Sequence, residues 1–370
     1  KRFLCYNRDM LDLKEYGIVM WDAEKIASFR RTLLNWYDRE KRDLPWRRTK
    51  NPYYIWVSEI MLQQTQVQTV IPYYERFLDW FPTVKDLAEA PEEKLLKAWE
   101  GLGYYSRVRN MQKAAQQIMN DFNGQFPDTY ENIAKLKGIG PYTAGAISSI
   151  AFGLPEPAVD GNVMRVMARL FEVNYDIGDA KNRKIFQAIM DILIDPDRPG
   201  DFNQAMMELG AVVCVPNGQP KCDLCPVRGF CQAGLHGTME KFPVKAPKKP
   251  RVVEERTVLV IQDGSCTAIR KRPPKGLLAG LYELPNTEGY LNREEALEYV
   301  KELGAEPLYI EELPDARHIF SHIEWRMKAY RIRVSSLEQT HAPGILFADK
   351  KESERNYAIP SAFGAYEKYM

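Results

Sequence analysis

Between Cys214 and Cys231 the chain reads CVPNGQPKCDLCPVRGFC, one short loop that holds four of its six cysteines. No other stretch restricts the fold as tightly, because four thiols gathered in one loop are there to be joined, either to each other or through a metal. Three chemistries fit: disulfides, a zinc site or an iron–sulfur cluster. The N-terminal KRFLCYNRDMLDLKEYG begins basic but lacks the apolar core of a secretory signal. No run of the sequence approaches the roughly 18 apolar residues that a membrane span needs. These features imply a reducing cytoplasm, without export and without a membrane partner, and disulfides are rare there. A metal centre is left. The spacing C-x7-C-x2-C-x5-C suits zinc and an iron–sulfur cluster alike. Cys5 and Cys266 stand alone and read as ordinary thiols.

At 370 residues the chain exceeds one ordinary core, so more than one domain is expected. Residues 22 to about 240 show apolar positions at three- and four-residue spacing, as in AEKIASFRRTLLNWYDRE and RKIFQAIMDILI, and read as helices. FPVKAPKKPRVVEER follows, rich in Lys and Pro and without period, and reads as a linker over 241–255. Beyond it RTVLVIQ and CTAIRKR flank Asp263-Gly264 as a β-hairpin, REEALEYVKELG reads as a helix closed by Gly304, and HIEWRMKAYRIRV alternates like a strand. The expectation is a helical domain over 1–240 and a smaller α+β domain over 256–370. The formal net charge of +1 neither supports nor excludes a nucleic-acid partner, because a local basic face can hide in a neutral total. REKRDLPWRRTK and VKAPKKPR are the local candidates.

Three helical stretches carry chemistry. In LKGIGPYTAGAISSIAF, Gly138 and Gly140 permit a tight turn, and Pro141 suits the first position of the next helix. The exposed N–H groups there could hold a phosphate, or the turn could be a plain corner. In AVDGNVMRVMARL, Asp160 stands just before a helix, as an N-cap would, with Asn162 two residues on. In WVSEIMLQQTQV, Glu59 lies among Val57, Ile60 and Met61. If buried, its pKa rises and it holds a proton near neutral pH. If it lies on an exposed helix edge, it does neither.

Taken in order, VSEIMLQQTQV, GLGYYSR, LKGIGPYTAGAI, AVDGNVMRV, FNQAMMELG and the four-cysteine loop resemble the helix–hairpin–helix DNA glycosylases, and within them the MutY family of adenine DNA glycosylases. The resemblance covers about 25–235, with the hairpin at about 131–152, and the second domain extends it to nearly the whole chain. It implies a 4Fe–4S cluster on Cys214, Cys222, Cys225 and Cys231, structural rather than hydrolytic. The family's usual first interval is one residue shorter than the x7 found here, a difference that a bulge in VPNGQPK absorbs. It implies a monomer acting on double-stranded DNA that contains adenine opposite 8-oxoguanine or guanine, nucleoid-associated in a cytoplasm of bacterial type.

The implied reaction is hydrolysis of an N-glycosidic bond through an oxocarbenium-like transition state. Glu59 would protonate the leaving adenine at N7, and Asp160, kept anionic by its helix start, would stabilise the sugar cation or trap it. Tyr142 and Asn162 match positions that support these acids, and Gln204 has at most a supporting part. Related glycosylase/lyases carry Lys where this chain has Tyr142. A phenol cannot form an imine, so a monofunctional glycosylase is expected. Gln64 and Tyr104 match the wedge residues that fill the gap left by a flipped base, with Leu102 beside them, and Thr65 is a further DNA-binding candidate. Leu44, Trp46 and Arg47 match the adenine pocket, and Gly138 and Gly140 the backbone clamp.

RKRPPKGLLAGLYELPN resembles the Nudix (MutT-like) fold, but REEALEYVKELG lacks the adjacent acids that hold magnesium in a working hydrolase. The domain is therefore expected to read the opposite 8-oxoguanine through Phe320, Ser321 and His322. His318 and His322, four residues apart on an extended strand, would stand about 13 Å apart, too far to share an ion. Two other functions are compatible with parts of the pattern: a bifunctional glycosylase/AP lyase, and a non-catalytic DNA-binding iron–sulfur protein. A zinc-bearing regulator is a third.

Overall fold

The structure is a computed structural model that describes residues 11–247, 250–338 and 344–370; Cys5 and the KRFLCYNRDM end lie outside them. The chain forms two compact units, one built from residues 1–88 and 113–247, the other from 89–112 and 248–370.

The first unit is helical. Its helices are α1 (Ala23–Glu40), α2 (Pro52–Met61), α3 (Val67–Trp80) and most of α4 (Val84–Glu89). α5 (Glu92–Ala98) belongs to the other unit, and the cut between units falls within α6 (Ser106–Asp121). The first unit continues through α7 (Tyr130–Ala134), α8 (Pro141–Phe152), α9 (Gly161–Leu170), α10 (Arg183–Leu193), α11 (Pro199–Val212) and α12 (Gln232–His236). Local signals start these helices. Asp22 accepts the Lys25 N–H at 2.8 Å to open α1, and Asn51 with Pro52 opens α2. α1 then buries Ile26, Phe29, Leu33 and Tyr37 on one stripe against Phe186, Phe202 and Met206.

α7 and α8 form the hairpin. Gly138 turns the chain at φ 78°, Gly140 caps α8, and Pro141 is its first residue. From Thr143 to Ile150 α8 is buried on every side, so it runs through the core. It packs backbone to backbone there. A methyl on Gly145 would lie 2.0 Å from the Pro157 carbonyl oxygen, and one on Gly200 2.6 Å from that of Ser149.

The second unit is built on a seven-stranded sheet with order β3-β2-β1-β6-β5, where β4 pairs with β1 and β7 with β2. The strands are β1 (Val252–Asp263), β2 (Cys266–Lys271), β3 (Tyr282–Glu283), β4 (Asn286–Glu288), β5 (Pro307–Ile319), β6 (Ile323–Val334) and β7 (Ile345–Asp349). β1 and β6 run parallel from Val252↔Ile323 to Gln262↔Arg333, and the other pairs are antiparallel. Strand alternation splits the core into two layers. Val258 and Val260 face Trp325, Met327 and Phe363. Leu259 and Ile261 face Ile332 and the apolar side of α13 (Arg293–Glu302), while α14 (Lys350–Asn356) follows β7.

The structure corrects two boundaries. β1 begins at Val252, inside the segment read as linker, because Val252–Glu255 pair with Ile323–Arg326. Residues 89–112, expected in the helical domain, group with the sheet. Lys97 Nζ donates to the Tyr357 carbonyl at 2.9 Å, Glu100 accepts the Ile359 N–H at 2.7 Å, and Arg109 donates to the Ala279 carbonyl at 2.7 Å.

Candidate active site and thiol loop

A cavity of about 750 Å³ in the helical unit gathers most of the candidate residues. Glu59, Tyr142, Asp160 and Asn162 line it, with Leu44, Trp46, Arg47, Gln64, Thr65 and Gly140. Gly138 is not among its walls.

Glu59 reaches the cavity from the buried α2 and is only 5% exposed. Burial pushes its pKa up to about 7, and the nearby Asp160 adds to the rise. The Tyr142 hydroxyl donates to its Oε2 and opposes the shift. Tyr142 itself is held neutral, its pKa raised well above the usual phenol value by burial and by both carboxylates. Asp160 caps α9: the Val163 N–H donates to Oδ1 at 2.7 Å and Asn162 Nδ2 to Oδ2 at 2.9 Å. These bonds favour the anion, as expected from the helix start. In the free cavity desolvation outweighs them, and the pKa of Asp160 is raised.

Three residues not singled out from sequence complete the site. Glu208, 1% exposed, takes both prongs of Arg42 at 2.7 Å and Arg47 at 2.7 Å. Burial pushes its pKa up, but the two guanidiniums win and hold it at about 2. Arg165 donates to Asn162 Oδ1 at 2.9 Å, to the Gly210 carbonyl at 2.7 Å and to the Cys214 carbonyl at 2.8 Å. Asn203, fully buried, accepts the Ala158 N–H at 3.0 Å and donates to the Glu156 carbonyl at 2.9 Å, which fixes the segment ahead of Asp160. Glu208 stands among apolar neighbours much as Glu59 does, but it shares its helix with Asp201 and is less conspicuous. Its arginine partners, more than a hundred positions away in sequence, gave no signal. Gln204, credited with a supporting part, lines the cavity and bonds the Gly200 carbonyl at 3.2 Å.

Tyr104, Phe320, Ser321 and His322 belong to the sheet unit and line a separate cavity of about 500 Å³ there. Tyr104 is 47% exposed, and its hydroxyl meets Ser321 Oγ at 2.5 Å. Leu102 is buried and lines neither cavity, so it offers little as a wedge. Gln64 and Tyr104 both hold left-handed backbone, at φ 59° and 46°, which costs a residue other than glycine about 1 kcal/mol or more. Phe320 packs edge-on against His318 and Trp325. Ser321 and His322 form the turn between β5 and β6, closed by the Phe320 N–H to the Ile323 carbonyl at 2.8 Å. The extended-strand spacing assumed for His318 and His322 therefore does not apply.

Cys214, Cys222, Cys225 and Cys231 ring a small cavity of about 30 Å³ as free thiols. Among the described residues no group of three or more His, Cys, Asp or Glu converges as a single metal ion requires. The surroundings fit a thiolate-bound group. Arg169 Nη1 lies 3.1 Å from Cys214 Sγ, and the Gly234 N–H points at Cys231 Sγ at 3.4 Å. Burial and the other three sulfurs push Cys225 up to about 12, so its thiolate calls for a compensating cation. No helix among the described residues is long and apolar enough to cross a membrane.

Comparison with known proteins agrees with this geometry. The family described as HhH-GPD superfamily base excision DNA repair protein matches residues 57–191, and the NUDIX domain family matches 256–366. The adenine DNA glycosylase of Rattus norvegicus is 36% identical, with 94% of this chain and 80% of the relative covered. That of Homo sapiens is 38% identical, with 84% and 67% covered. A solved thermostable thymine-DNA glycosylase is 28% identical and superposes with a TM-score of 0.51 over 59% of this chain and 98% of its own. The helical unit thus has the helix–hairpin–helix glycosylase fold and the sheet unit a Nudix-like one, and the chain belongs to the adenine DNA glycosylase family.

Proposed function

We propose that this protein is a monofunctional DNA glycosylase that hydrolyses the N-glycosidic bond of adenine mispaired with 8-oxoguanine, or with guanine, in duplex DNA. The observation that carries the reading is one cavity in which two of the three carboxyl groups on the wall, those of Glu59 and Asp160, stand in different surroundings and apart from the arginine pair that engages Glu208. Glu59 is buried against a neutral phenol and keeps its proton near neutrality. Asp160 is wrapped by a backbone N–H and an amide.

In the reaction Glu59 gives its proton to N7 of the extruded adenine as the C1′–N9 bond lengthens. Asp160 stands beside the deoxyribose, where positive charge develops, and its anion stabilises that charge by field or by a transient bond before water attacks C1′. No amine stands at position 142, so no Schiff base forms and the abasic strand is left uncut.

The four cysteines would hold a 4Fe–4S cluster, which supplies a structural tie for the loop 214–231. In the sheet unit, Tyr104, Phe320, Ser321 and His322 would meet the base opposite the adenine. What supports this is their shared cavity and the exposed Tyr104–Ser321 contact. The protein would act as a monomer on DNA.

The test is a duplex with one adenine opposite 8-oxoguanine, incubated with wild type and with Asp160→Asn. Strand breaks that appear only after alkali, and disappear in the variant, support the reading. Breaks without alkali would establish a lyase instead, and binding without any breaks would point to a non-catalytic protein.

A further inference from the structure

The catalytic cavity carries five basic side chains on its wall: Arg42, Arg47, Arg165, Arg183 and Lys245. Three are committed. Arg42 and Arg47 close on Glu208, and Arg165 on Asn162 and two carbonyls. Arg183 and Lys245 differ. Both are exposed, and among the described residues neither side chain has a hydrogen bond or an ion pair.

Their placement is nevertheless built, by one residue. Asp176 Oδ2 accepts the Ala246 N–H at 3.2 Å, and the neighbouring Ile177 N–H donates to the Val244 carbonyl at 3.1 Å. The residues on both sides of Lys245 are therefore tied to the same turn. The Asp176 carbonyl accepts Asn182 Nδ2 at 3.0 Å, which fixes the residue ahead of Arg183. Oδ1 accepts the Gly178 N–H at 2.7 Å. The charge of Asp176 is thus occupied by backbone N–H groups, and the two cations it positions stay unneutralised.

The cations of the cavity without a counter-charge lie at its exposed side. Glu59 and Glu208 are buried, whereas Arg183 and Lys245 lie where water reaches them. Adenine and deoxyribose carry no charge, so the anions that a nucleotide of DNA brings to this cavity are its phosphodiesters. At about 750 Å³ the cavity has room for more than a base.

We propose that Arg183 and Lys245 form a clamp for one backbone phosphodiester of the strand that carries the extruded adenine. The proposal rests on the glycosylase reading given above. The clamp touches no reacting atom and acts by position: it fixes how deep the nucleotide enters, and so how C1′ meets Asp160. It draws its affinity from counterion release, for which each phosphate contact adds about 0.9 to the slope of log K against log salt.

The experiment uses the full chain and a duplex with 2′-fluoro-2′-deoxyadenosine opposite 8-oxoguanine. The fluorine withdraws electrons from the sugar and blocks excision. Binding is measured against salt for wild type, Lys245→Gln, Arg183→Gln and the double variant. Both side chains are exposed, so melting temperatures should not move. The double variant is expected to lose about one unit of slope and on the order of tenfold in affinity. In a second arm, single methylphosphonates neutralise each linkage around the adenine in turn. One linkage should weaken wild type severalfold and leave the double variant unchanged.

An unchanged slope overturns the clamp. So do equal losses in wild type and double variant at every linkage. A wild type that binds this duplex no better than an undamaged one, and releases no adenine from its unfluorinated counterpart, overturns the glycosylase reading and the clamp with it.

Discussion

Two glutamates face one cavity from two helices, and both are almost fully buried. Glu59 on α2 meets a phenol and is pushed up to about 7. Glu208 on α11 meets two guanidiniums and is held at about 2. Burial is the largest single influence on each, and it acts in the same direction on both. The partner decides the outcome. A neutral donor leaves a buried acid protonated and able to give its proton away, while paired cations fix it as an anion that organises its neighbours. Chemistry and scaffold are thus separated by partner charge, within one pocket.

Breaking the comparison at Glu59 should have the largest effect. Glu59→Gln removes the proton donor and keeps the shape, and single-turnover excision should fall by about 10³-fold or more with duplex binding retained. Excision within tenfold of wild type would remove Glu59 from the mechanism. At Glu208 the change should read out as stability. Glu208→Gln leaves Arg42 and Arg47 facing each other without a counter-charge, and should cost about 3 kcal/mol in denaturant unfolding. Because its native pKa lies below the ordinary value of 4.5, the contribution of Glu208 is present above that value and is lost as pH falls toward about 2.

The pH dependence sharpens the contrast. Glu59 holds its proton below about 7 and loses it above, so the single-turnover rate should drop about tenfold per pH unit on the alkaline side. A rate flat from pH 6 to 9 would falsify that assignment. The smallest effect belongs to Tyr142→Phe. The Tyr142 bond lowers the pKa of Glu59, so its loss should move the alkaline limb upward by a fraction of a unit. A downward shift would mean that the phenol helps Glu59 keep its proton.

Much of the fold was legible in the sequence. Period marked the helices, Asp263-Gly264 marked the β1–β2 hairpin, and Gly138, Gly140 and Pro141 marked the turn into α8. The first residues of β1 escaped because Val252–Glu255 are largely exposed and follow a Lys- and Pro-rich stretch, so no alternation announces them. Residues 92–98 and 106–112 read correctly as helical, but period says nothing about which neighbour a helix takes. Within the site, Glu59 and Asp160 stood out by their settings. Glu208, Arg165 and Asn203 did not, because each is defined by partners distant in sequence. The burial that raises the pKa of Asp160 was hidden for a related reason: a helix start is visible in the sequence, and the closed walls around it are not.

The segment that carries Asp160 has one more property. A methyl on Gly145 would strike the Pro157 carbonyl, one on Gly200 that of Ser149, and one on Gly210 would lie 2.7 Å from Asn162 Cβ. Asp160 is therefore set in place by the thickness of the peptide chain itself, with no rotamer left to absorb an error. In a population carrying random missense changes, three positions without any functional group should be as intolerant as the acids. Addition of a single carbon at Gly145 should silence repair as surely as loss of the carboxylate, and a scan of variants by chemical role alone would score it as benign.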